Sequence, residues 1–559
     1  MILDPQGALV WTDTQFKEPF NLDIREYKGE PHLTFWDGKK LGASGNGINY
    51  ILNSSYHIVK VVKAGNGLEA DLHEFNLLSS SNTALLDTYF TREADLSKID
   101  GGSKDGWVWD SGFQEIDLET DTVLFDWRAL DHIDVEKTYA KLDIANDDGK
   151  KASNAFDWFH INSIDKDGQG NYLISSRHLH ALFCINGVTG NVMWQLGGKG
   201  NMFRDLTDSS AYPGKPSPTE IKWQHHARWH DNDTSITVFN NNGETATATS
   251  IGMWFDIDPV ARTVRTRGVY TSPSNAFGQF QGSMSVLPNS HVLLGFGSAA
   301  QSSEFTADGT PICDIRFGPR KEFNTGSAEN YRAIRGHWVG RPDTNPDVVL
   351  EPDVISQNMW MYMSWMGATE VRNWRLEAKS GEGAEEAVLV LATIPKEGFE
   401  TTIDLSCLGV IAATSGQHSQ AQVRAMSKRS AHQSANKHLH QNPTRNQGQH
   451  SVKFFRAVAL DANNTVLGTS TWVDAGDQLT LDPSASSISA SLLSSYSDSS
   501  TTATANKLKQ AAFVTVAAVI LILIGLLPVF WFVVSWVRKR NSDKIVAYEP
   551  VSETDKTDA

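Results

Sequence analysis

What most constrains this chain is a strand pair that keeps returning. Its clearest copy is residues 157–177, DWFHINSIDKDGQGNYLISSR, which alternates apolar and polar side chains, turns at Asp165-Lys166-Asp167-Gly168 and returns through Asn171-Tyr172-Leu173-Ile174. A period of two bounded by turn residues reads as a β-hairpin, because successive strand side chains point to opposite faces. Similar pairs stand at 71–89, 223–240 and 282–297. Each is followed by a second hairpin with aromatic or β-branched strands, at 113–127, 182–196, 254–269 and 304–317. Weaker copies occupy 33–62 and 2–11. Two hairpins make a four-stranded sheet, and such sheets in series predict the blades of a β-propeller, about six of them, over residues 1–342. The opening MILDPQGALVWT has neither the basic nor the apolar stretch of a signal peptide and falls just before a hairpin-like segment, so the propeller is expected to begin upstream of Met1.

Past residue 342 the pattern changes. Six or so short strands between 343 and 480 predict a small β-sandwich. Within it, residues 415–451 are rich in His, Gln, Asn and Ser without metal-ligand spacing, and read as a disordered insertion of the kind a translated intron gives. A Ser/Thr-rich stalk follows at 481–506. Residues 511–537 carry no charge and are long enough to cross a bilayer as a single transmembrane helix. Arg538, Lys539, Arg540 and Lys544 then place the tail 538–559 in the cytosol and the large N-terminal part outside the cell or in a lumen. Sequons at Asn53, Asn232 and Asn463 are glycosylation candidates on that side.

The formal net charge of −16, with no basic patch outside the C-terminal region, argues against a nucleic-acid partner. Cys184, Cys313 and Cys407 are odd in number and far apart, which excludes a disulfide framework but leaves room for one bridge.

Setting the hairpins in register puts His73, His160 and His225 at one level, where the first strands of a propeller converge on its axis. Strand alternation adds Asn162 to the face of His160, and Arg177 ends the return strand. An imidazole, an amide and a guanidinium together suit an oxyanion beside a nucleophile or proton carrier. Taken singly, each histidine is more simply a satisfied polar side chain; it is the register that argues for a site. Three imidazoles could alternatively hold zinc, as in a metal-dependent hydrolase. His226 is expected to face the other way and be structural, and Trp158 and Trp223 to pack between blades or stack on an aromatic ligand. Gly197-Gly198-Lys199-Gly200 lacks the pattern of a phosphate-cradling loop and reads as an inter-blade turn.

With HINSI, SSRH, QHHAR and YRAIRGHWVG at 331–340, the chain resembles the arylsulfotransferase family in its fungal branch, over nearly all of residues 2–474. That resemblance implies a six-bladed propeller. It also implies transfer of a sulfuryl group from a phenolic sulfate donor to a phenolic acceptor, without a nucleotide sulfate donor, a cofactor or a metal, through a sulfated histidine. His225 matches the histidine that is sulfated, and His160, Asn162 and Arg177 match the residues around the sulfuryl group. His73 matches the one that handles the phenol proton. The chain has no cysteine pair beside the site like that of the bacterial members. The alternative is a membrane-anchored propeller that binds a ligand or protein and catalyses nothing.

Overall fold

The computed structural model describes residues 1–245, 248–319, 321, 327–356, 358–383, 385–412 and 450–481. Nearly all of the insertion expected at 415–451, the stalk beyond Leu481, the apolar segment 511–537 and the tail lie outside these residues. Among the described residues no helix is long and apolar enough to cross a membrane. The described chain is all-β, its strands interrupted only by 3-10 turns of three or four residues.

Five four-stranded antiparallel units follow one another. The first runs Phe20–Tyr27, Glu30–Leu41, Ser44–Leu52 and Ile58–Val62, and the second Ala70–Leu78, Thr83–Ala94, Gly106–Asp117 and Val123–Arg128. A single bridge between Gly47 and Ala70 joins these two into one eight-stranded sheet. The third runs Ile161–Lys166, Tyr172–Ser176, Ala181–Ile185 and Val192–Gly197. The fourth is His225–His230, Ser235–Asn240, Ile251–Asp258 and Thr263–Thr271, with Arg204–Asp205 added in parallel at its edge. The fifth is Ser283–Val286, Val292–Gly295, Gln301–Phe305 and Pro311–Arg316.

The first strands of successive units touch. Ala227 donates its amide to Ser163 Oγ at 3.0 Å, and Asn76 donates to the Ile164 carbonyl at 3.3 Å. Between the fifth unit and the first runs the segment 330–341. It accepts from the Gly282 amide at the Tyr331 carbonyl (3.1 Å), donates from the Arg341 amide to the Ser54 carbonyl (2.7 Å), and bonds Trp338 Nε1 to the Tyr56 hydroxyl (3.0 Å). The N-terminal hairpin, Ile2–Leu3 with Leu9–Trp11, lies beside it, Trp11 stacking on Tyr56 at 4.9 Å.

The first unit is a correction to the sequence reading, which took 33–62 for a weak copy and missed Phe20–Tyr27 and Ser44–Leu52. The reason is glycine. In SGNGINYIL the alternation is broken by Gly45 and Gly47, where a Cβ would sit 2.8 and 2.6 Å from the ring of Trp36. Those positions make room for an indole that is wholly buried and donates Nε1 to the Ala70 carbonyl at 2.9 Å.

After the units, Asp347–Pro352, Met359–Ser364 and Glu400–Asp404 form one sheet. Leu389–Pro395, Asn373–Lys379, His450–Leu460, Val473–Leu481 and Val410–Ala412 form a second, with Val466–Thr469 paired to His450–Leu460. Met361 and Met363 of the first sheet share one core with Trp374, Leu376, Phe455 and Ala457 of the second, so the two pack face to face. Asp347–Pro352, Val410–Ala412 and Val473–Leu481 were not read from the sequence. The three cysteines are free, Cys184 buried and the others exposed.

Candidate active site

His160 is not a regular strand residue. It precedes the strand Ile161–Lys166 with φ at +56°, a left-handed conformation that a residue with a Cβ adopts only when its surroundings hold it there. Its carbonyl accepts from the Arg177 amide at 2.9 Å, and its Nδ1–H donates to Asp157 Oδ2 at 2.6 Å. A bulge separates Ile161 from Ser163, and another separates His225 from Arg228 with His226 also at φ +56°. Simple two-residue alternation therefore fails at both strands, and the expected common level of the three histidines is corrected. His160 lies one step outside its ladder, which ends at the Ile161–Ser176 pair, whereas His225 pairs inside its own with Phe239.

The side chains nevertheless gather. The rings of His73 and His160 meet edge to face at 4.7 Å, and His160 lies 4.7 Å from His178. His73 Nδ1 donates to Asp71 Oδ1, leaving Nε2 as the open nitrogen, and Asp87 Oδ2 stands 3.7 Å from the same Nδ1. Burial, then the charge of Asp71, pushes the Asp87 carboxyl well above its ordinary range. Arg177 donates Nη1 to His178 Nε2 at 2.8 Å and lies 4.8 Å over the ring of Trp223, so Trp223 forms a wall of the site while Trp158 is core. Asn162 is buried. Its amide donates to the Gln224 carbonyl at 2.7 Å, and its Oδ1 has no partner among the described residues.

His225 comes from the next unit. Asn241 donates Nδ2 to the carbonyls of Gly278 (2.7 Å) and Gln281 (2.9 Å), which leaves its Oδ1 to accept from His225 Nδ1–H at 2.7 Å. The proton is thereby held on Nδ1 and the lone pair on Nε2, met only by the Gln281 amide at a long 3.3 Å. Burial pushes His225 well below the usual histidine range, and the charge of Arg177 adds to it. His160 is pushed down by burial, then by His73 and Arg177. Both are neutral imidazoles near pH 7. His226 points elsewhere, its Nδ1 facing the Met284 carbonyl at 2.9 Å, which is a structural place.

Beneath the site lies a buried ion cluster that the sequence reading missed. Glu74 accepts from Arg332 Nη1 (2.7 Å), Arg228 Nη2 (2.7 Å) and the Ile164 amide (3.0 Å). Burial alone would raise its carboxyl, but the two guanidiniums hold it down at about 2. Arg332 also donates Nη2 to the carbonyls of His73 (2.9 Å) and Asn162 (3.0 Å). The only sequence signal was Arg-Ala-Ile-Arg at 332–335, inside the motif YRAIRGHWVG.

A cavity of about 250 Å³ opens beside Asp157 and His178, walled by Tyr89, Trp109 and Phe156; His73, His160, Asn162, Arg177 and His225 do not line it, though the Tyr89 ring lies 6.2 Å from that of His160. Two groups could offer a metal ligands within 4.8 Å of one another, Asp157 with His160 and His178, and Asp71 with His73 and Asp87. The expected zinc set of His73, His160 and His225 is not among them, and His225 Nδ1 is tied to Asn241. In the first group the Arg177 guanidinium sits on His178, which disfavours a cation there.

Residues 24–318, more than half the chain, match the family described as arylsulfotransferase (ASST). The chain belongs to the arylsulfotransferase family. Membership supports sulfuryl transfer as the general chemistry, and the matched span contains His73, His160, Asn162, Arg177 and His225 of this arylsulfotransferase family member. No curated protein matches the chain at a significant level. Solved structures similar to it include a protein of unknown function from Bacteroides caccae (10% identity, TM-score 0.27, covering 54% of this chain and 98% of that one). Another is a calcium-binding protein, regucalcin, from Agrobacterium tumefaciens (9%, TM-score 0.30, 65% and 86%). A third is a protein from Lactobacillus plantarum (10%, TM-score 0.28, 66% and 85%). Likeness this slight carries nothing about the chemistry of the arylsulfotransferase site.

Proposed function

We propose that this chain transfers a sulfuryl group from a phenolic sulfate ester to a phenolic acceptor through a sulfohistidine at His225, with no nucleotide sulfate donor. The observation that carries the reading is the pair His225 and Asn241, which supports a neutral imidazole with its lone pair on Nε2. In the first half, Nε2 bonds to sulfur as the bond from sulfur to the aryl oxygen breaks, and the departing phenolate takes a proton from Nε2 of His73, whose Nδ1–H stays on Asp71. In the second, the acceptor's phenolic oxygen bonds to sulfur, the S–N bond breaks, and the acceptor's proton returns to the same imidazole. Arg177 and Asn162 stabilise the anionic oxygens, and the aromatic wall of Tyr89, Trp109 and Phe156 suits an aryl ring. The five units, the segment 330–341 and the N-terminal hairpin support a six-bladed propeller as the scaffold, and QHHAR and HINSI support the fungal branch. The anchor at 511–537, the outward or lumenal orientation and glycosylation at Asn53, Asn232 and Asn463 complete the proposal. Asn232 and Asn463 stand exposed in turns, whereas Asn53 is half-buried with its Oδ1 accepting from Ser55 and His57 amides.

The test is incubation with 4-nitrophenyl sulfate, with and without phenol, followed by peptide mass analysis. The expected result is one added SO3 on the peptide containing His225, discharged by phenol. Turnover with no adduct in the wild type and undiminished turnover in His225→Ala would overturn the mechanism.

A further inference from the structure

Tyr331 is buried, and its hydroxyl has no hydrogen-bond partner among the described residues. Its ring stands edge-on to His73 at 5.8 Å and to Phe20 at 5.7 Å. Beyond its burial, the hydroxyl lies in the field of Arg332 first, then of Asp87, Glu74 and Asp71, and is itself felt by Tyr89, so it belongs to the ring of groups around His73. The backbone that carries it is fixed on both sides. Its carbonyl accepts from Gly282, the Ala333 amide donates to Ser283 Oγ at 3.0 Å, and Arg332 is clamped by Glu74 and the carbonyls of His73 and Asn162. The hydroxyl is thus held in place by bonds it does not itself make. A buried O–H left without an acceptor detracts from stability, so a ligand is what gives the group a purpose. Burial keeps its proton on, far above the range where a phenol ionises in water.

We propose that Tyr331 is a further catalytic residue, its O–H donating a hydrogen bond to a sulfonate oxygen of the aryl sulfate bound beside His73. This rests on the sulfuryl-transfer reading of the same site. Tyr89 offers the contrast. Its hydroxyl already donates to the Ile161 carbonyl at 2.6 Å and is occupied within the fold.

The experiment compares the full-length wild type with Tyr331→Phe and Tyr89→Phe, measuring Tm, calorimetric binding of 4-nitrophenyl sulfate and release of 4-nitrophenol. Tyr331→Phe is expected to keep or raise Tm while binding weakens and kcat/KM falls by about ten- to a hundred-fold. Tyr89→Phe is expected to lower Tm. Unchanged binding and turnover in Tyr331→Phe, or a lowered Tm with binding intact, would overturn the contact. A wild type that binds 4-nitrophenyl sulfate without ever sulfating His225 would sink the transfer reading alone, leaving Tyr331 to be judged by affinity. A wild type that does not bind it would sink both.

Discussion

Asn241 Oδ1 accepts the Nδ1–H of His225 at 2.7 Å, and the Asn241 amide is itself pinned by two backbone carbonyls, so its orientation cannot reverse. A tautomer fixed this way can be unfixed. Asn241→Leu should lower kcat/KM by about 100-fold or more, up to the roughly 10⁴-fold that a wrong tautomer costs a catalytic imidazole. Asn241→Asp should raise the His225 pKa and move the acid limb of the pH–rate profile upward. An unmoved profile in Asn241→Asp would show that this pair does not control the nucleophile.

Arg177 combines a guanidinium stacked on Trp223 with a hydrogen bond to His178. Lysine keeps the charge but neither the fork nor the planar stack. Arg177→Lys should therefore cost about 10² to 10³ in kcat, followed as 4-nitrophenol release. A loss confined to KM would assign Arg177 to binding the ground state.

Burial pushes His178 down to about 3. In the unfolded chain a histidine titrates near 6.5, so between those values only the unfolded state takes up the proton. The stability tied to neutral His178 is complete above about pH 6.5 and drains away as pH falls, by about 1.4 kcal/mol per pH unit, until about pH 3. Urea unfolding between pH 6 and 4 should show the wild type losing about that much more per unit than His178→Gln. Parallel curves would show that the imidazole is as hydrated folded as unfolded.

Glu74 neutralises part of the charge on two buried guanidiniums. Removing it leaves both uncompensated, so Glu74→Gln should cost about 3–5 kcal/mol in denaturant unfolding. Replacing only Arg228 by Met should cost less, since Arg332 still holds the carboxylate.

The strand pairs were legible wherever a face was buried and its partner face polar, as in Ile161–Lys166 with Tyr172–Ser176. They vanished where glycine replaced the alternation, at Ser44–Leu52, and along Val473–Leu481, whose VDAGDQLTL reads as polar and turn-rich. At the site, residue types could be read but not geometry. Left-handed residues at His160 and His226 and two bulges rotate side chains in ways no period of two contains. Asn241 was invisible because it has no local signal, and Tyr331, although it opens the motif YRAIRGHWVG, gave no sign of its role. Each matters through what it meets from another unit or, for Tyr331, through what it fails to meet.

The Glu74 cluster draws on residues 74, 164, 228 and 332, the outermost pair 258 positions apart. The carboxylate emerges from the ribosome long before its second arginine, and until that arginine arrives the early sheets enclose a charge that is only half compensated. Maturation of the candidate site is thus tied to the arrival of residue 332, and a chain that stops short of it carries His73, His160 and His225 yet lacks the clasp that sets them.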